Sequence, residues 1–389
     1  MALNEKKLRV GVIGLGFAGR THIRSARLAG ADVIGIADVS ADRADAAAKS
    51  LGVPRAYESP TDLIEASDAD LIHVCTPNAF HFRYAEAALL AGKHVICEKP
   101  LATSVAEGTR LLELSRSRRR VATVPYVYRY HPMVREARER VRQGELGRLY
   151  LIHGSYLQDW LLESTDTNWR VRSSVNGPSR AFADIGTHWC DLIEWVTGQR
   201  FTEVQAVLAT TLPERLGHDH QETFGNGSGR GGKQEAVDTE DLACLLLRTD
   251  SGTVGSLTVS QVSAGHKNRL WFELDGSRES LRFNQENSEY LEIGTRESTQ
   301  IIRRDPTQGS AEQRRLATLP AGHAQGWGDC FEAFVRDTYS AVNGAASDDL
   351  PTFAAGLRSI HLIDTVLRAS RQPGWYSVPE AGAERGCTP

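Results

Sequence analysis

The chain has 389 residues, 41% hydrophobic and 24% charged, which suits two domains with a sizeable core. Lys and Arg number 45 against 49 Asp and Glu, a net charge of −4, so no basic surplus exists to neutralise nucleic-acid phosphates. No run of about 18 apolar residues offers a membrane span, and Met1–Arg9 lacks the apolar stretch of a signal peptide.

Leu8–Gly14 is a short apolar run ending in glycine and predicts a buried parallel strand, with a helix over Gly19–Leu28. Asp32–Asp38 predicts a second strand and Ala41–Leu51 a second helix, closed by Gly52. Leu71–Cys75 is a strand stopped by Thr76-Pro77, and Phe82–Ala91 a helix closed by Gly92. His94–Cys97 is a strand stopped by Glu98-Lys99-Pro100; Ser104–Arg116 reads as a helix and Val121–Val127 as a strand. Strand and helix in alternation, without hairpin turns, predict a doubly wound parallel sheet over residues 1–128.

A second α/β domain is expected over 129–389. Met133–Arg142 is a charged helix, and Leu149–Leu157, Glu203–Leu208, Leu242–Leu247, Thr253–Val262, Leu270–Asp275 and Leu281–Phe283 are strands. The Asp250-Ser251-Gly252 turn favours an antiparallel hairpin, so this sheet is read as mostly antiparallel. Residues 213–236 are Gly-rich and polar and read as a mobile loop. Helices close the chain over Trp327–Val342 and Thr352–Ser370, the last expected to pack back on the first domain. The six cysteines, Cys75, Cys97, Cys190, Cys244, Cys330 and Cys387, form no Cys-x-x-Cys pair. They read as buried hydrophobes of a cytoplasmic protein.

The sharpest motif is Gly14-Leu15-Gly16-Phe17-Ala18-Gly19, set between the first strand and the first helix. Gly14 permits a tight turn, Gly16 a close approach to a pyrophosphate, and Gly19 close packing of helix on strand. The helix N-terminus then favours the anion. Asp38 ends the second strand, where a carboxylate accepts from ribose hydroxyls and repels a 2′-phosphate, so NAD is the expected cofactor. Arg43 pulls the other way, because an arginine there could meet a 2′-phosphate. Ligands bind beyond the carboxyl ends of parallel strands, which brings Thr76, Pro77, Asn78 and His81, and then Glu98 and Lys99, to the same crevice.

A second cluster lies in Asp184–Trp195. At helical spacing Asp184, His188 and Asp191 share a stripe, and a carboxylate one turn from an imidazole can orient it as a general base. No second nearby His or Cys completes a metal set. His218 and His220 fall in the Gly-rich loop.

Together the GLGFAG turn with Asp38, the stretch AGKHVICEKPLATSVAEG (Ala91–Gly108) and the DIGTHWCDL helix resemble the Gfo/Idh/MocA oxidoreductases, as does the closing HAQGWGDCFEAFV segment. The resemblance implies a Rossmann domain followed by an α/β domain whose open sheet often mediates homo-oligomers. It implies that Lys99, Asp184 and His188 surround the substrate carbon of a small carbohydrate. On that basis His188, oriented by Asp184, is the candidate base, and Lys99 steadies the developing alkoxide or carries the proton itself. Tyr126 and Arg129 are expected to approach the cofactor from its other side. Gln158, Trp160, Trp169, Arg170, His323 and Trp327 are expected along the sugar-facing wall.

One departure from the family pattern is Gly177-Pro178-Ser179-Arg180, where relatives carry a run of glycines. An arginine there could bind an anion, which suggests an acidic sugar such as a uronide or sulfonated sugar. Net sugar oxidation, a redox-neutral glycosidase that oxidises its sugar only transiently, and a non-catalytic NAD-binding regulator are the three readings. The complete acid–base set argues against the regulator.

Overall fold

The computed structural model describes residues 7–216, 234–345 and 349–380. Its first half runs β1 (Arg9–Ile13), α1 (Phe17–Leu28), β2 (Asp32–Ala37), α2 (Ala41–Leu51), α3 (Pro60–Ala66), β3 (Leu71–Val74), α4 (His81–Leu90), β4 (His94–Cys97), α5 (Val105–Ser117) and β5 (Ala122–Thr123). The five strands pair in parallel in the order β2-β1-β3-β4-β5. This is the doubly wound sheet expected from the sequence. The strands can be apolar throughout because helices cover both faces, and all four residues of β3 are buried. The sequence reading omitted α3, whose seven residues, capped by Ser59 with Pro60 following, are too few to show a period. It also made β5 too long, since only Ala122 and Thr123 pair.

The second half runs α6 (Pro132–Arg142), β6 (Leu149–Leu157), α7 (Ser173–Asn176), α8 (Thr187–Thr197), β7 (Phe201–Ala209), β8 (Glu214–Leu216), β9 (Gln234–Ala236), β10 (Leu242–Thr249), β11 (Val254–Ser260), β12 (Arg269–Gly276), β13 (Ser280–Asn284), β14 (Tyr290–Gly294), β15 (Thr299–Arg303), α9 (Ala311–Leu316), α10 (Trp327–Val342), α11 (Phe353–Ala369) and β16 (Tyr376–Ser377). Nine strands form one sheet in the order β15-β14-β13-β12-β6-β11-β10-β7-β16. Only the β6–β11 pairing is parallel. Alternate burial along β10 gives the sheet one packed and one open face. β14 and β15 were not anticipated, and the exposed, polar β15 has no inward stripe to read.

Two readings are corrected here. The ends of the 213–236 segment are β8 and β9, paired antiparallel, not loop; residues 217–233, with His218 and His220, lie outside the described residues. Cys75, Cys97, Cys190 and Cys330 are buried, but Cys244 is exposed because it sits at an outward position of β10; Cys387 lies outside the described residues. No helix among the described residues is long and apolar enough to cross a membrane.

The last two helices return to the first sheet on opposite faces. Phe331, Phe334 and Val335 of α10 pack with Val10, Val12 and Ile23. Phe353, Leu357 and Ile360 of α11 pack with Leu101, Leu111 and Val124. A Cβ at Gly108 of α5 would lie 2.6 Å from the Ile360 side chain, so the α5–α11 crossing is close.

Candidate active site

The glycine turn is built by contact as much as by conformation. Gly14 has φ +88°, and a Cβ there would lie 2.6 Å from the Cys75 carbonyl oxygen; one at Gly19 would lie 1.9 Å from the Gly14 carbonyl oxygen. Gly16 differs, for a Cβ there meets nothing within 4 Å among the described residues. Gly16 is the N-cap of α1, no side chain caps that terminus, and its first turn holds no acid. These uncapped N–H groups beside open space suit an approaching pyrophosphate. Phe17 and Ala18 stand at the opening. Asp38 is buried at the end of β2, accepts from the Val39 N–H at 2.7 Å, and lies 3.7 Å from the exposed Arg43 guanidinium. Arg43 thus pairs with the carboxylate.

Thr76 and Pro77 are half-buried beyond β3, and the buried Thr76 Oγ1 has no partner among the described residues. That orphaned atom in the crevice also fits a bound cofactor. The neighbouring residues do other work. Asn78 is turned away and donates to the Asn176 backbone and side-chain oxygens at 2.8 and 3.1 Å. His81 is buried between the Pro100 and Thr76 carbonyl oxygens at 2.7 and 2.8 Å, tying the loops after β3 and β4 together.

Beside the N-terminus of α1 a cavity of about 420 Å³ collects Glu98, Lys99, Asp184 and His188. A hollow of about 560 Å³ on the open face of the large sheet has no carboxylate, lysine or imidazole in its lining, so the chemistry belongs to the smaller one. Lys99 Nζ donates to the Asp184 carbonyl oxygen at 2.7 Å and to its carboxylate Oδ1. Gln261 donates to the other carboxylate oxygen at 2.9 Å, and Arg170 Nε lies 3.5 Å from Oδ1. Burial by itself would raise the Asp184 carboxyl, but the charges of Lys99 and Arg170 hold it far below the usual range.

Asp184 therefore serves Lys99, and the expectation that it orients His188 is corrected. The helical spacing misled because Phe182–Gly186 is a π-helical turn, which takes more residues per turn than the 3.6 of α8. His188 is braced by aromatic edges instead, with Tyr128 and Tyr126 ring centroids at 5.0 and 5.6 Å. Burial, and then the charge of Lys99, lower its pKa to about 3, so it stays neutral, and its buried Nδ1 has no partner among the described residues.

The cavity wall includes Gln158, Trp160 and Arg170, with Trp327 and Phe331 from α10. Trp327 stacks on Phe17 with centroids 5.9 Å apart, closing the wall over the glycine turn. Five further expected residues lie elsewhere. Tyr126 is buried behind His188, so it faces that ring and not the cofactor. Trp169 backs Arg170, whose guanidinium lies 4.4 Å from the indole centroid. His323 is exposed on the loop before α10, and its carbonyl accepts from Arg304 at 2.7 Å. Arg180 is fully buried, paired with Asp241 and 3.1 Å from Thr239 Oγ1, so it cannot meet a substrate anion. Arg129 likewise turns to Asp191, donating from Nε at 2.7 Å.

Missed by the sequence reading were Tyr128, Tyr156 and Asn268. The two tyrosine hydroxyls touch each other, Tyr156 donates to Asn268 Oδ1 at 2.6 Å, and Gln158 donates to the same atom at 2.9 Å. Tyr156 lies two residues before Gln158, so strand alternation placed both on one face; nothing in the sequence marked Asn268.

Residues 8–126 match the model for the oxidoreductase family with NAD-binding Rossmann fold, and residues 134–282 match the GFO/IDH/MocA C-terminal domain. A levoglucosan dehydrogenase of Pseudarthrobacter phenanthrenivorans is 30% identical over 405 residues, covering 97% of this chain and all of the relative. A myo-inositol 2-dehydrogenase of Thermotoga maritima is 27% identical, covering 70% of this chain and 73% of the relative. The structure of a levoglucosan dehydrogenase with NADH and levoglucosan superposes with TM-score 0.86 at 27% identity, covering 96% of this chain and all of that one. The cofactor is NAD, held by the first domain. In sequence along its length and in the order of its two sheets, this chain belongs to the Gfo/Idh/MocA family of oxidoreductases.

Proposed function

We propose that the protein is an NAD-dependent dehydrogenase that oxidises a secondary hydroxyl of an uncharged sugar or ring polyol. The observation that carries this is the convergence of Lys99, Asp184 and His188 on one cavity at the N-terminus of α1. Bound NAD supplies the hydride acceptor. Lys99 has three N–H donors and spends two on Asp184, which leaves one for the reacting oxygen. A fixed ammonium there steadies developing alkoxide. Neutral His188 receives the hydroxyl proton; Asp184, held by Gln261 and Arg170, keeps Lys99 in place.

An uncharged substrate is favoured because Lys99 and Arg170 both already face Asp184, while Tyr128, Tyr156, Gln158 and Asn268 offer only neutral hydrogen-bonding groups. Gln158 Oε1 is buried and unpartnered among the described residues, ready to accept from a sugar hydroxyl. The relatives named above, which act on levoglucosan and myo-inositol, are consistent with such a substrate. With NAD and a panel of anhydrosugars, inositols, glycosides and uronides, NADH is expected to accumulate with a neutral ring polyol. Aglycone release from glycosides without NADH would replace this reading with the redox-neutral glycosidase.

The cofactor preference has its own test. Asp38→Ala should weaken NAD binding roughly tenfold, since a hydrogen bond to a charged group contributes about 1.5–3 kcal/mol. It should also raise NADP use relative to NAD by on the order of 100-fold, as a like-charge contact disappears and Arg43 is released. An unchanged ratio of kcat/KM for the two cofactors would remove Asp38 from the ribose site.

A further inference from the structure

Behind the cavity, four side chains from four elements form one buried chain of hydrogen bonds. His22 Nε2 lies 3.1 Å from Glu98 Oε1, His22 Nδ1 lies 2.7 Å from His73 Nδ1, and His73 Nε2 lies 2.8 Å from the Tyr339 hydroxyl. His22 comes from α1, His73 from β3, Glu98 from the end of β4 and Tyr339 from α10. Both imidazoles have no exposure at all.

With both imidazoles neutral, the groups permit one arrangement of protons. An ionised carboxylate only accepts, and a neutral imidazole has one donor and one acceptor. Glu98 therefore takes the Nε2–H of His22. His22 Nδ1 then accepts from the Nδ1–H of His73, whose Nε2 accepts from Tyr339. Burial keeps Tyr339 protonated and His73 neutral, as this pattern requires. All three bonds point toward the carboxylate. Its second oxygen accepts from the Lys99 backbone N–H at 3.1 Å, so Glu98 is held from both sides. A polar cluster that only satisfied itself could end anywhere; this one ends on the residue beside Lys99.

We propose that His22, His73 and Tyr339 are positioning residues that keep Glu98 ionised and in one orientation, and that Glu98 thereby sets the backbone from which Lys99 reaches Asp184. The second half rests on the dehydrogenase reading. The groups facing Glu98 are His22 from α1, Cys75 just after β3, Cys97 from β4, His81 from α4, Lys99 beside it and His188 from α8. Among the described residues His22 is the one side chain that donates to Glu98. Burial alone would raise the carboxyl; the hydrogen bond from His22, and then the charge and backbone N–H of Lys99, act to lower it.

His22→Leu removes the donor and leaves Glu98 buried, so its carboxyl must rise. The variant is expected to gain an acid limb in kcat between about pH 5 and 8, with activity recovering as pH rises and Glu98 ionises. Tyr339→Phe should move the limb less, and His22→Gln, whose amide still donates, should restore most of kcat. NMR of 15N-histidine-labelled holoenzyme, assigned with His22→Gln and His73→Gln, reads the chain without turnover. It should find His22 as the Nε2–H tautomer and His73 as the Nδ1–H tautomer, both neutral. Other tautomers, or imidazolium at either position, overturn the chain whatever the activity. A lower Tm with an unmoved pH profile overturns the link to Lys99. Failure of every sugar to turn over overturns the dehydrogenase reading and that link, and leaves the tautomers to decide the rest.

Discussion

Lys99→Met should lower kcat by about 10³-fold while leaving NAD affinity nearly unchanged. Loss of one preorganised donor at a developing oxyanion costs on the order of 10²–10³ in rate, and the ammonium's charge goes with it. Methionine keeps the length and apolar stem, so the cavity between Glu98 and Asp184 stays filled. Asp184 retains Gln261 and Arg170 as partners, so the variant should fold. Single-turnover NADH formation measures the chemical step, and cofactor fluorescence measures binding. A loss of less than about tenfold, under 1.4 kcal/mol of barrier, would mean that another group steadies the reacting oxygen.

Arg180→Met should act on stability alone. Asp241 has no exposure and is paired with both Arg180 and Arg215, the latter at 2.9 Å. Removing one partner of a buried ion pair costs about 3–5 kcal/mol. The low end applies here, because Asp241 also accepts from the Thr211 and Leu212 N–H groups at 2.7 and 2.9 Å. A loss of about 3 kcal/mol corresponds to a fall in Tm of roughly 6 °C, with KM for a neutral sugar unmoved. Adding Asp241→Asn should deepen the loss, because buried Arg215 then loses its carboxylate partner as well. An intact Tm with a raised KM would put Arg180 back in the substrate site.

Where pattern and packing agree, the sequence was read correctly. The alternation of short apolar strands with capped helices located the parallel sheet, because both signals follow from local chemistry. The turn through Gly14, Gly16 and Gly19 was legible because backbone geometry alone defines the junction between β1 and α1. The errors arose where a side chain's partner is distant in sequence. Arg180 looked available for a substrate until β10 brought Asp241 to it, 61 residues along the chain. Asp184 was assigned to His188 by a 3.6-residue period that the π-helical turn does not obey. Tyr128, Tyr156 and Asn268 meet only when β6 and β12 pair. The His22–His73–Tyr339 chain was equally hidden, since it joins residues up to 266 positions apart.

The return of α10 and α11 to the first sheet has a consequence for how the protein is made. Phe334 and Val335 fill the space over Val10 and Val12, and Leu357 and Ile360 fill the space over Leu101 and Leu111. On the ribosome the nucleotide half emerges first, yet both faces of its sheet stay partly bare until residues past 360 have left the exit tunnel. Domains ordinarily fold as they emerge, N-terminal first. Here the earliest strands lack their full cover until α10 and α11 have emerged, so the nascent chain is expected to complete its NAD site only then. A ribosome stalled before α11 would carry an apolar surface for chaperones to hold, not a half-finished enzyme.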